Sequence, residues 1–308
     1  MTTAFLGLGH MGEPMATNLL TSVPRLTVWN RSQPALDRME KRGATVAPSS
    51  RDALRSSTVA LLMLANEAAI DEVLERSSDM FSDNVRKRLI VHMGTTSPAY
   101  SRDLGEAIQG AGGRYVEAPV SGSRIPAERG ALVGMVAGDG QDVAMVRELV
   151  RPVCGTTFAC GAVPGALTMK LAVNLFLITM VTGLMEAASF ASRAGLDLDL
   201  FRAIIDAGPM ASDVSRVKID KLVRDDFTPQ ASLGDVLMNS RLVAAAARGA
   251  GIATPLLDRA NGLYAMANEM GFGRLDMIGV IRALEAEMSG SGSSYDTALH
   301  ERTSRHDP

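Results

Sequence analysis

Lys170 and Asn174 stand four residues apart inside LTMKLAVNLFLITMVTGLM (167–185), nineteen residues with no other basic or acidic side chain until the helix pattern runs on. At i, i+4 spacing an ammonium and an amide project from one face of a helix, about one turn apart. A lysine held there can meet the negative charge that develops on a carbonyl oxygen during hydride addition, and can deliver the closing proton. Partial burial lowers the pKa of such a lysine and brings its proton exchange closer to neutrality. The competing possibility is a lysine whose stem lies on apolar surface while its head reaches water at a helix edge.

A second group of residues points to a dinucleotide. Gly7, Leu8, Gly9, His10, Met11 and Gly12 form GxGxxG directly after an apolar strand and at the opening of a helix. Gly7 allows a tight turn, Gly9 lets the backbone approach a pyrophosphate, and Gly12 lets helix and strand pack closely. The helix N-terminus then faces the phosphate charge. The next strand ends in Asn30, Arg31 and Ser32, where an NAD site would carry an acid for the ribose 2′-hydroxyl. A guanidinium flanked by two hydrogen-bonding side chains suits a 2′-phosphate instead, so the sequence predicts NADP(H).

Positioning these groups requires two kinds of architecture. TAFLGLG (3–9), RLTVWN (25–30), VALLML (59–64), RLIVHM (88–93), GRYVEAPVSG (113–122) and LVGMVAGD (132–139) read as strands, several with helices between them. Such repeated units predict an α/β fold with a doubly wound parallel sheet. Beyond GAVPGA (161–166), where Gly and Pro punctuate the chain, helical patterns take over at 165–194, 197–208, 234–249, 254–270 and 274–287. The predicted organisation is an NADP-binding domain over 1–162, an all-helical substrate and dimerisation domain over 163–288, and a Gly/Ser-rich flexible tail over 289–308.

Composition narrows the partners. With 46% hydrophobic and 21% charged residues and a net charge of −3, the chain reads as compact and folded, with no electrostatic case for nucleic acid or an anionic membrane. Cys154 and Cys160 form no CxxC and have no histidine nearby, so no metal site is predicted. No basic n-region precedes the first strand, and the apolar run from Leu171 to Met185 is broken by Asn174 and two threonines. A span needs roughly 20 apolar residues, so a soluble cytoplasmic protein is expected.

Taken together, GLGHMGEPMATNL (7–19), HMGTTSP (92–98), EAPVSGS (117–123) and GALTMKLAVN (165–174) resemble the motifs of the β-hydroxyacid dehydrogenases, relatives of 6-phosphogluconate dehydrogenase. NRS (30–32), EAPVSGS and PAERGAL (126–132) look most similar to the NADPH-dependent glyoxylate and succinic semialdehyde reductases of that family. The resemblance covers the chain except its tail. It implies a Rossmann domain followed by an all-helical one, joined by a long helix and assembled as a homodimer or homotetramer. It also implies Lys170 as the catalytic acid/base and Asn174 as a substrate-orienting amide. Ser121, Gly122 and Ser123 would hold a substrate carboxylate, and Leu64, Ala65 and Thr95 would line the dinucleotide.

The match weakens in DDFTPQASLGDVLMNSRLV (225–243). Ala231 stands where the family has an aromatic on the substrate side, and Ser232 stands for a proline. Gly234 replaces a lysine, and Met238-Asn239 replaces a Lys-Asp pair that reaches cofactor and substrate. The resemblance therefore implies a small aldehyde, 2-oxo acid or 3-hydroxy acid as substrate. The departures predict a roomier or less anionic substrate, with weaker activity on glyoxylate. An imine reductase-like enzyme, or an NADP-binding module with little catalysis, would share this architecture, although imine reductases usually lack the lysine.

Overall fold

The structure is a computed structural model that describes residues 1–287, so the predicted tail and the last residue of the predicted helical domain lie outside the described residues. The chain forms two compact units, one from Met1 to Val173 and one from Asn174 onward. The predicted boundary at 162/163 falls just before a 29-residue helix, Gly165–Arg193, which the two compact units share.

The first unit is built on nine strands: β1 (Thr3–Leu6), β2 (Leu26–Trp29), β3 (Thr45–Val46), β4 (Val59–Leu62), β5 (Leu89–His92), β6 (Arg114–Glu117), β7 (Val120–Ser121), β8 (Leu132–Gly138) and β9 (Cys154–Ala159). Their order is β3-β2-β1-β4-β5-β6-β8-β7, with β9 paired to β8. The strands from β1 to β6 are parallel and in register, Phe5 lying between Val28 and Leu61. Alternate residues feed two cores: Phe5, Val28, Leu61 and Val91 pack in one, and Ala4, Leu6, Ala60, Leu62 and Ile90 in the other. Burial on both faces explains why these strands are continuous apolar runs rather than alternating ones. After β1 the chain moves outward through β2 and β3, then crosses to β4 on the other side of β1. That reversal opens a crevice at the C-terminal ends of β1 and β4, where doubly wound sheets bind ligands.

The sheet departs from the predicted one beyond β6. There β8 runs antiparallel to both β6 and β7 and parallel to β9. The expected single strand over 113–122 is divided at Ala118-Pro119, because proline cannot donate to a ladder. β9 escaped the sequence pattern because CGTTFA is mostly exposed and carries little apolar signal.

In the second unit the rest of the long helix is followed by helices Leu198–Ala207, Asp213–Val223, Leu233–Gly249 and Pro255–Glu269. Asp213–Val223 was not foreseen; a capping box between Ser212 and Ser215 starts it. The predicted helix over 274–287 is instead two 3₁₀ turns, Phe272–Arg274 and Met277–Val280, with helix only from 281. The long helix is long and apolar enough to cross a membrane, by length and composition only. Leu167, Leu171, Ile178, Val181, Met185 and Ala188 are buried, which is the pattern of a core helix in a folded protein. Only 39% of its most apolar window is buried, however, and Phe176 and Phe190 are exposed.

Asp276 explains the 3₁₀ geometry. It has no exposed surface, and its carboxylate accepts from Lys218 Nζ at 2.8 and 2.9 Å and from the backbone N–H groups of Gln230 and Ile278 at 2.9 and 3.3 Å. Its own N–H donates to Phe227 O at 2.9 Å, and Met277 N–H donates to Ala231 O at 3.0 Å. One carboxylate thus shapes the turn that presents Ala231. Removing one member of a buried pair strands the other's charge, which costs about 3–5 kcal/mol. Asp276→Ala is expected to lower unfolding free energy in urea by that amount. Arg151→Ala, which breaks an exposed pair with Glu148, should leave the urea midpoint almost unmoved.

Candidate active site

The loops at the C-terminal ends of β1, β2, β4 and β5 meet one another, and they carry the predicted dinucleotide residues. Gly7 has φ +100°, and a Cβ there would lie 2.2 Å from Met63 O. A Cβ on Gly12 would lie 1.9 Å from Gly7 O, so these two glycines are fixed by close backbone approach. Gly9 is different: a Cβ there would meet nothing within 4 Å. Gly9 therefore leaves open space before the helix Gly12–Leu20, as a backbone approached by a pyrophosphate requires.

Asn30 holds the second loop against the first. Its Oδ1 accepts from Leu8 N–H at 2.9 Å, while its Nδ2 donates to Ser32 O and Oγ at 3.1 and 2.8 Å. Arg31, between them, is exposed and has no hydrogen bond or ion pair among the described residues. A free guanidinium beside an ordered Asn–Ser bridge fits a phosphate ester better than a bare ribose. Leu64 and Ala65 follow β4, and a Cβ on Gly94 would lie 2.8 Å from Leu64 O. Thr95 is held in the same neighbourhood, because Ser97 donates from its N–H and Oγ to Glu67 Oε1 at 3.1 and 2.7 Å. The residues present thus fit a dinucleotide.

Ser121 lies on β7 opposite Val133. Gly122 follows with φ +130°, and Ser123 leads into the short helix Arg124–Glu128. This loop borders the glycine loop: Asn18 Nδ2 donates to Ala127 O at 2.8 Å, and the Arg124 guanidinium comes within 3.5 Å of His10 Nδ1. The anion-binding residues predicted for cofactor and substrate therefore share one side of the first unit.

Lys170 is 9% exposed and has no ion-pair or hydrogen-bond partner among the described residues. Burial disfavours its charged form and brings its pKa down to about 8. It is therefore no snorkelling surface lysine. Asn174, one turn along, is 6% exposed and donates from Nδ2 to Asn239 Oδ1 at 3.2 Å. Asn239 in turn donates from Nδ2 to Asp235 O at 2.8 Å, which orients the pair. Ala231 sits at the turn shaped by Asp276. Met238 is directed elsewhere on the helix Leu233–Gly249, lining a cavity of about 430 Å³ with Gly234, Leu237 and Arg241. A further cavity of about 820 Å³ lies among Thr182, Phe190, Leu256 and Leu263 and includes none of the predicted site residues.

The sequence alone did not single out Glu117, although it opens the EAPVSGS stretch. It is fully buried, and its Oε2 accepts from Ala166 N–H and Leu167 N–H at 3.0 and 3.1 Å, in the first turn of the helix that carries Lys170. The available signal was an acid ending the apolar strand RYVE, where a charge is costly unless partnered.

Residues 2–161 match the family model for the NAD binding domain of 6-phosphogluconate dehydrogenase, and residues 165–284 match that for the NAD-binding domain of NADP-dependent 3-hydroxyisobutyrate dehydrogenase. Glyoxylate/succinic semialdehyde reductase 1 of Arabidopsis thaliana is 31% identical over 288 residues, covering 92% of this chain and 99% of that protein. The 2-hydroxy-3-oxopropionate reductase of Escherichia coli K12 is 26% identical over 285 residues, covering 92% and 97%. The crystal structure of 3-hydroxyisobutyrate dehydrogenase from Salmonella typhimurium shares the fold, with a TM-score of 0.83 at 22% identity over 92% of this chain and 99% of that one.

Desolvation of Lys170 has a measurable consequence for stability. Its folded pKa of about 8 lies below the ordinary lysine value of 10.5, so between those two values the unfolded chain binds more protons. Stability contributed by this site therefore rises with pH across that window, and the full penalty is present below it. Lys170→Met is expected to raise unfolding free energy at pH 7 by on the order of 1–3 kcal/mol. Paired urea titrations at pH 7 and pH 10 should show that advantage shrinking as pH rises; a constant difference would contradict it.

Proposed function

This chain belongs to the family of 6-phosphogluconate and 3-hydroxyisobutyrate dehydrogenases, oxidoreductases with a nicotinamide-dinucleotide domain, and on that premise we propose that it is an NADPH-dependent reductase of small aldehydes or 2-oxo acids. In the reverse direction it would oxidise the corresponding hydroxy acids. The observation that carries this is Lys170, almost buried, without a counter-ion among the described residues, and one helical turn from an oriented amide.

The chain's own residues divide the work. Gly7, Gly9 and Gly12 with the following helix hold the pyrophosphate, and Asn30, Arg31 and Ser32 hold the 2′-phosphate. Leu8, His10, Met11, Leu64, Ala65 and Thr95 complete the dinucleotide surface. Bound there, the cofactor supplies the hydride. Ser121, Gly122 and Ser123 offer hydroxyl and backbone donors to a substrate carboxylate. Lys170 donates a hydrogen bond to the carbonyl oxygen as negative charge develops, and transfers its proton as the alcohol forms. Asn174, oriented by Asn239, fixes the substrate's hydroxyl side. Ala231, where the resemblance implies an aromatic, leaves more room, so we assign a bulkier or less anionic substrate than glyoxylate.

NADPH and NADH oxidation with a panel of semialdehydes, 2-oxo acids and cyclic imines tests this assignment. Turnover confined to the imines would replace it with an imine reductase. Lys170→Ala should lower kcat by about 10²–10⁴-fold while NADPH still binds by fluorescence titration. Arg31→Ala should raise KM for NADPH and spare NADH. Because the protonated amine is the donor, kcat for reduction should fall as pH rises through about 8.

The long helix exposes Phe176 and Phe190, and Phe190 lines a cavity with the exposed Leu256, which supports a second copy of the chain as the cover of this face. We propose a cytoplasmic homodimer or homotetramer. Light scattering should report a multiple of 32.6 kDa, and Phe190→Asp should shift the population toward that value.

A further inference from the structure

Glu117 is the last residue of β6, and four residues later in the same segment comes Ser121. Its carboxylate has no exposed surface. Oε2 accepts two backbone N–H groups, from Ala166 and Leu167, which are among the four donors that the start of any helix leaves without an internal partner. Oε1 accepts from Ser101 Oγ. Ser101 Oγ lies 2.7 Å from Tyr115 OH, and Tyr115 OH lies 2.9 Å from His92 Nδ1. The four side chains are buried and connected, so Glu117 cannot change rotamer without leaving several polar groups unpaired.

Lys170 follows Ala166 by four residues, close to one turn, or about 6 Å along the axis. The helix is apolar around it, and among the described residues Lys170 has no hydrogen-bond or ion-pair partner to fix it. Rotation and rise of the first turn therefore decide where the amine points. Ala166 also packs against Met135 and Ala137 of β8, which blocks sliding of that turn away from the sheet. A helix start held by two hydrogen bonds to one carboxylate has its rotation set, because both N–H vectors must converge on Oε2.

From this geometry we infer that Glu117 is a positioning residue for the reaction: it caps the helix of Lys170 and ties that amine to the strand segment that carries Ser121 and Gly122. This rests on Lys170 as the proton donor. Two side chains that must act on one small molecule are thereby referenced to a single buried group, with Ser101, Tyr115 and His92 holding that group in place. Glu117 touches neither substrate nor cofactor in this role, so its removal should disturb turnover without abolishing cofactor binding.

Steady-state kinetics, NADPH titration and thermal melts of Glu117→Ala, Glu117→Gln, Ser101→Ala and Lys170→Ala test the assignment on the full chain. Glutamine can still accept from both N–H groups and donate to Ser101 Oγ, so it should recover most of the activity that alanine loses. Glu117→Ala should lose about 100-fold in kcat, the scale of a misplacement near 1 Å. Its KM and Kd for NADPH should stay within about threefold, and the pH limb of Lys170 should move upward as the amine gains water. Wild-type kcat in a folded Glu117→Ala, or equal collapse in the Gln and Ala variants, would overturn the inference. If Glu117→Ala does not fold, Ser101→Ala decides: a lower kcat at unchanged KM for NADPH supports the inference, and unchanged kcat refutes it. Lys170→Ala separates the two levels, since its retention of turnover would remove the premise instead.

Discussion

Glu117 and the first turn of the helix Gly165–Arg193 meet through two hydrogen bonds to one fully buried oxygen, and the placement of Lys170 depends on that junction. A carboxylate without solvent is costly unless its lone pairs are filled. Burial pushes the Glu117 pKa up, while the Ser101 hydroxyl and the two helix N–H groups pull it down. The helix in turn gains acceptors for donors that would otherwise be unpaired at a buried terminus. Each partner removes the other's penalty, so neither strand end nor helix start can shift alone.

Lys170 is treated in the opposite way. No carboxylate among the described residues neutralises it, and burial holds its pKa near 8. An ion-pair partner would have kept the amine charged and engaged, whereas an unpaired, desolvated amine is available to a substrate oxygen and can release its proton near neutrality. The second unit uses a neutral device for the same end: Asn174, Asn239 and the Asp235 carbonyl form a chain that orients an amide without adding charge. The cofactor side is likewise built on backbone rather than on charge. Gly7 and Gly12 are forced by contacts with Met63 O and Gly7 O, whereas the third glycine of the motif, Gly9, faces open space.

Much of this was legible along the chain because local rules set it. GxGxxG after a strand is a statement about backbone approach, and i, i+4 spacing puts Lys170 and Asn174 on one helix face whatever surrounds them. Buried strands such as VALL and LIVH announce themselves through continuous apolar residues. Elements with weaker local signals were missed or misread. β9 is polar, Asp213–Val223 is mixed in character, and residues 272–280 follow the buried carboxylate of Asp276 rather than helical periodicity. Ala231 and Met238 are two positions where the sequence resemblance weakens. The structure sets these two apart, Ala231 on the Asp276 turn and Met238 toward a cavity with Gly234 and Arg241.

What the sequence by itself determined is the inventory of chemistry: a dinucleotide loop, a guanidinium in place of an acid after β2, and a lysine and an amide on one helix. These follow from residue type and short spacing, which the chain carries locally. Only the tertiary structure decided that Lys170 is buried and lacks a counter-ion among the described residues, and that Glu117 is a helix cap rather than a solvated strand end. Those facts depend on residues dozens of positions apart, such as Glu117 and Ala166, forty-nine apart in the chain. Desolvation and capping arise from what packs around a group, and no local spacing encodes that.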